Sequence, residues 1–203
     1  MVDARPLTSD FFLRPTVEVA QALLGALLVH DTPGGRLIGR IVETEAYLHN
    51  DLACHGVREL PGGGVIHKKT PRNATMFGPA GHAYVYFTYG NHFMLNVVTQ
   101  PEGIPEAVLI RALEPMEGIE TMMQLRGMGD PRMLTNGPGK LTRAFAIDRA
   151  FDGHDVAQSP LRLLQSKPVP AERIVTTTRI GISRAVECPW RFYERENAWV
   201  SKR

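Results

Sequence analysis

The run "HAYVYFTYGNHFMLNVVTQPEGIPEAVLIRALEP", residues 82–115, constrains the fold more than any other part of the chain. Aromatic and β-branched side chains crowd it, and such residues suit a pleated, half-buried surface. Tyr89–Gly90–Asn91 interrupts it as a turn, which predicts two strands joined as a hairpin and then a further strand ending near Arg111. Upstream, "DTPGGR" is a turn, and "RLIGRIVETEAYL" reads as a strand pair or as one bent strand broken near Gly39. Sheet dominates the middle of the chain. Helical spacing of Val17, Ala20, Leu23, Leu24 and Leu27 predicts a buried helix over 15–26. A second helix is expected in "EPMEGIETMMQLRGM", from near Pro115 to Gly127–Gly129, and a short third one after "TNGPGK". "RIGIS" and "PWRFYERENAWVS" are expected as terminal strands, and the polar stretch 49–83 is too long for a simple connector.

With 203 residues, 43% hydrophobic and 22% charged, the chain can bury a core as one mixed domain, and the composition excludes disordered, collagen-like and disulfide-stapled classes. Two cysteines, Cys54 and Cys188, stand far apart outside any CxxC spacing, which fits a reducing compartment. The opening "MVDARPLTSDFF" lacks a basic segment followed by an apolar one, and no run approaches roughly 18 apolar residues, so neither export nor membrane spanning is expected. The expected location is cytoplasmic. Residues 1–60 hold 5 Lys/Arg against 8 Asp/Glu, and the remainder 18 against 13. A basic second part permits contact with a polyanion without requiring it.

Alternation along a strand turns Glu43, Glu45 and Tyr47 one way and Val42, Thr44 and Ala46 the other. The polar row is either a solvated face or the acid and aromatic parts of a site. Tyr84 and Tyr86 share a face, which cross-strand packing also explains, while Tyr89 falls at the turn, where an outward ring suits insertion into stacked bases. "TNGPGKLT" departs from a phosphate-binding P-loop at Leu134 and Leu141. It reads either as a helix cap with an exposed Lys140 or as a dock for a backbone phosphate. The spacing of His55, His67, His82 and His92 matches no zinc motif, so no metal is expected.

Taken in order, "VETEAY", "ACHG", "KKTPRNATMF", "YVYFTYG", "LNVV", "VLIRALEP", "TNGPGKL" and "RIGIS…PWRFY" resemble the alkyladenine (3-methyladenine) DNA glycosylase family in its bacterial form. The resemblance runs from about residue 8 to residue 201. It implies a monofunctional enzyme that flips alkylated purines, 3-methyladenine above all, out of duplex DNA and hydrolyses the N-glycosidic bond, initiating base excision repair. It also implies a monomer without cofactor, and a single α/β domain of α+β type: a curved, mainly antiparallel sheet, helices around it, and a β-hairpin protruding on the DNA face. By position, Glu45 resembles the base that activates water, Arg111 its partner, and the main chain near Ile180 a third water contact. Tyr47, His55 and Tyr86 match the aromatic sandwich around the flipped base, and Asn96 the side chain that screens purines. Tyr89 matches the wedge that fills the vacated stack, and Thr70 and Lys140 are expected as further DNA contacts. Glu43 has no catalytic task in the family pattern and is expected to support structure through a cation. Two rivals remain: a damage-sensing DNA-binding module that does not cleave, and a hydrolase for small nucleosides.

Overall fold

The computed structural model describes residues 5–88 and 90–201. Two short helices come first, α1 (Ser9–Phe12) and α2 (Thr16–Ala22). The helix expected over 15–26 stops early because the chain leaves it to pair with a strand. Gly25 N–H donates to the Ile41 carbonyl at 2.8 Å, and Ile41 N–H to the Ala26 carbonyl at 2.9 Å. Leu27 therefore opens strand β1 (Leu27–Thr32), which turns at Pro33–Gly34 into β2 (Gly35–Tyr47).

β2 is the bent single strand rather than a strand pair. Its register against the neighbouring strand slips at Ile38/Gly39 and on both sides of Glu43. A Cβ on Gly39 would stand 2.9 Å from the Phe145 ring and 3.1 Å from Leu113, so the bend closes onto the core only with glycine there.

The stretch 49–83 holds a small separate hairpin, β3 (Val57–Glu59) with β4 (Val65–His67), and a 3-10 turn at Ala74–Phe77. β5 (Ala83–Thr88) and β6 (His92–Thr99) form the expected hairpin, in register from Ala83↔Val97 to Thr88↔His92. β7 (Glu106–Glu117) continues well past Arg111. Pro115, expected at a helix start, instead lies in β7 opposite Gly39, beside the register slip, where a missing N–H is tolerated. α3 (Ile119–Arg126) ends at Gly127, and α4 (Pro138–Ala144) follows the Gly/Pro turn. β8 (Leu161–Leu164), β9 (Ile174–Thr177) and β10 (Arg191–Glu194) complete the order. "RIGIS" is an irregular loop between β9 and β10, so its expectation as a strand is corrected.

The antiparallel order is β5-β6-β7-β2-β1-β8, with β10 pairing both β2 and β9. β2 pairs with β1 as far as Arg40 and with β10 from Glu43, so it changes partner at its bulge. Bulges bend and twist a strand, and here they curl the sheet into a half-barrel. One face packs Ile41, Val108, Ile110 and Leu113 against Phe12, Leu23, Leu141 and Phe145. Each such side chain contributes about 1.5–3 kcal/mol on burial. Val42, expected to face away from Glu43, packs with Ala112 and Val200 in a smaller cluster, because the bulge interrupts simple alternation. The fold is thus the expected α+β domain with a curved antiparallel sheet. Among the described residues no helix is long and apolar enough to cross a membrane.

Candidate active site

Glu43 and Glu45 of β2 sit beside β7, with Glu45 opposite Leu109 and Glu43 opposite Ala112. Neither lies on a solvated face; both are fully buried. A carboxylate removed from water requires donors and counter-charge, and each has them. Glu45 Oε1 accepts from the Ile180 N–H at 2.8 Å and lies 3.2 Å from Arg111 Nη1, while its Oε2 accepts from the Tyr47 hydroxyl at 2.9 Å. Glu43 accepts from Arg191 Nε at 2.6 Å, Arg111 Nε at 3.2 Å, and the Ser201 N–H and hydroxyl at 2.7 and 2.9 Å. Arg111 bridges the two glutamates, and two guanidinium groups balance two carboxylates.

Tyr47, Arg111 and Ile180, the three partners of Glu45, line a cavity of about 260 Å³. Glu45 stands behind that wall rather than on it. His55, Tyr84, Tyr86 and Asn96 line the same cavity. Burial, and secondarily Glu45, push the Tyr47 phenol well above its usual range, so it remains a donor to the carboxylate. The Tyr84 and Tyr86 rings lie 5.2 Å apart, and His55 meets Tyr86 edge-on at 4.5 Å. His55 Nδ1 and the Tyr84 hydroxyl share a hydrogen bond of 3.0 Å. The Asn96 amide nitrogen donates to the Tyr84 carbonyl at 3.0 Å, which holds this side chain at the cavity wall.

Burial first, then the positive charges of Arg72 and Arg58, lower His55 to about 4. The ring is neutral at pH 7. Because the folded value lies below the ordinary 6.5, the associated stability is fully present above pH 6.5 and is lost as pH falls toward 4. NMR titration of His55 should give a midpoint near 4; a midpoint near 6.5 contradicts this description of the pocket.

Likeness to known proteins extends over nearly the whole chain. The model of the family described as Methylpurine-DNA glycosylase (MPG) matches residues 10–198. The chain belongs to the methylpurine-DNA glycosylase family. A relative from Carboxydothermus hydrogenoformans, named "Putative 3-methyladenine DNA glycosylase", is 50% identical over 198 residues, covering 97% of this chain and 99% of the relative. Relatives of the same name from Salinibacter ruber and Methanoculleus marisnigri are 48% and 47% identical over 200 residues, covering 97% of this chain and 96% and 99% of their own.

Other expected positions of this methylpurine-DNA glycosylase family member lie outside the cavity wall. The Thr70 N–H and hydroxyl both engage Asn73 Oδ1, at 2.6 and 2.9 Å, beside a smaller opening lined by Arg58 and Arg72. Lys140 Nζ donates to Asn136 Oδ1 at 2.7 Å rather than standing free, and burial lowers its pKa. Its neighbour Gly139 packs against the turn end of the hairpin: a Cβ there would lie 2.8 Å from the His92 ring. Tyr89 lies outside the described residues. Sequence reasoning missed Asp51, Arg179 and Asn73, all buried. Arg179 and Asn73 carried a signal, since they lie in the stretches "RIGIS" and "KKTPRNATMF"; Asp51 carried none. Among the described residues no three His, Cys, Asp or Glu gather as a metal site.

Proposed function

We propose that this protein excises alkylated purines, 3-methyladenine above all, from duplex DNA by hydrolysing the N-glycosidic bond. One observation carries the proposal: a buried carboxylate, Glu45, is held by three donors that themselves form the wall of an aromatic cavity. At about 260 Å³ the cavity is below the range of drug-sized ligands and suits a single base. The flipped base stacks between Tyr47 and the His55–Tyr86 side. A cationic alkylpurine gains about 0.5–2 kcal/mol per ring face, and neutral His55 sets no like charge against it.

Water reaches Glu45 from the cavity side, past the wall that Tyr47, Arg111 and Ile180 form in front of it. The C1′–N bond breaks with its electron pair leaving on the purine, the water oxygen bonds to C1′, and Glu45 takes the water proton. The same carboxylate stabilises the oxocarbenium-like sugar in the transition state, an interaction strengthened by exclusion of bulk water. Arg111 and the Ile180 N–H keep it aimed.

Duplex DNA as the partner is supported by the rim. Arg58 and Arg72 are exposed at the smaller opening that shares His55 and Tyr84 with the cavity, Lys68 and Lys69 are exposed in the same segment, and Glu59, the only acid from 55 to 75, is tied to Arg184. Such a rim neutralises phosphates and releases counterions. The test is incubation with a duplex carrying one 7-methylguanine or 3-methyladenine. Alkali-labile abasic sites should accumulate at the lesion and more slowly as salt rises. Hydrolysis of free methylated nucleosides with no action on the duplex would overturn the proposal in favour of a small-molecule hydrolase.

A further inference from the structure

Resting on that function, we infer that Asp51 and Arg179 are positioning residues that hold Tyr47 and the Ile180 N–H on Glu45. Both side chains are wholly removed from solvent. Arg179 grips Asp51 with two prongs, Nη1 to Oδ2 and Nη2 to Oδ1, the latter at 3.0 Å. It also donates to the carbonyls of Ala46 at 3.0 Å and Ala185 at 3.3 Å. Its guanidinium carbon lies 4.7 Å from the centre of the Tyr47 ring and 5.0 Å from that of Trp190, and a planar group is needed to stack on both.

These contacts converge on the parts that address Glu45. Ala46 is the residue between Glu45 and Tyr47, so the guanidinium fixes the strand at the point from which both side chains leave. Tyr47 is backed by the guanidinium on its ring and held by Glu45 at its hydroxyl. Ile180 follows Arg179 directly, so anchoring Arg179 sets where the 2.8 Å donor to Glu45 lies. Loop 179–183 has no strand pairing to do this work.

The pair is an expensive way to obtain stability. Burying two charges is often matched by an apolar replacement, and Arg179 Nε is buried with no partner among the described residues. What the pair supplies that an apolar pair cannot is direction: a fixed fork tying two loops to one strand. A displacement of about 1 Å at a reacting group can cost on the order of 100-fold in rate.

The test separates chemistry from binding by single-turnover excision of 7-methylguanine from a duplex, with affinity measured on the same duplex. Arg179→Lys keeps the charge but loses the second prong and the planar stack. Its excision rate constant should fall about 30-fold, within the range that misplacement produces, while the half-saturating concentration, set mainly by phosphate contacts that the variant leaves in place, moves less than about threefold. A rate within threefold of the starting protein, or rate and affinity falling together in folded protein, would overturn the inference. Where Arg179→Lys does not fold, the charge-neutral pair Asp51→Asn with Arg179→Gln carries the same expectation and the same contrary outcomes. Absence of excision by the unsubstituted protein would overturn the proposed function and this inference with it, an outcome distinct from a missing split in the variant.

Discussion

Glu45→Gln is expected to lower single-turnover excision by on the order of 10²–10⁴-fold, the range for removal of a general base, while affinity for damaged duplex stays within a few-fold. The amide has nearly the shape of the carboxylate. It can still accept from the Ile180 N–H, which donates to Glu45 Oε1 at 2.8 Å, and so keeps the wall in place. It cannot take a proton from water, and it offers no negative charge to a positive sugar. Binding survives because the rings that would meet the base, Tyr47 and Tyr86, are unchanged. A rate close to that of the unsubstituted protein would remove Glu45 from the mechanism.

Glu43→Ala is expected to be the most destabilising single change in the site, at about 3–5 kcal/mol, the range for removing one partner of a buried ion pair. The side chains of Arg111 and Arg191 are 8% and 5% exposed, so neither finds water once the carboxylate is gone. The Ser201 N–H and hydroxyl lose their acceptor as well. Excision should fall in parallel, since Arg111 loses the anchor that aims Nη1 at Glu45. Urea or thermal unfolding measures the loss, and a value under about 1 kcal/mol would show that the charges relax into other partners.

These two glutamates mark how far the sequence alone reaches. Their spacing and neighbours were legible, and so was the hairpin ahead of them in space, because strands alternate and turns have their own residues. Their burial was not. Two glutamates on a strand usually face water, and what removes them from it is a set of arginines distant in sequence: Arg111, Arg191 and, through Tyr47 and Ile180, Arg179. Nothing local signals such pairing. The same limit explains the helix that ends at Ala22, whose apolar periodicity continues into β1 while the backbone has already turned to pair with Ile41. It also explains Pro115, which reads as a helix start but is tolerated in β7 beside the register slip opposite Gly39. Family resemblance, carried by motif order, pointed to Tyr47, His55, Tyr86, Asn96, Arg111 and Ile180, which the fold brings to one cavity wall and which periodicity could not single out. It did not reveal that Lys140 is tied to Asn136 or that Asp51 and Arg179 brace the site.

The central claim is that Glu45 directs water, and no amine of the protein, at the sugar. Excision of 7-methylguanine from a duplex in the presence of sodium cyanoborohydride, which reduces an iminium but spares the base, tests it most directly. The expected result is free 7-methylguanine and abasic sites in equal amounts, an intact backbone, and no protein joined to DNA. A cyanoborohydride-trapped protein–DNA adduct, or a strand cut accompanying base release, would contradict it.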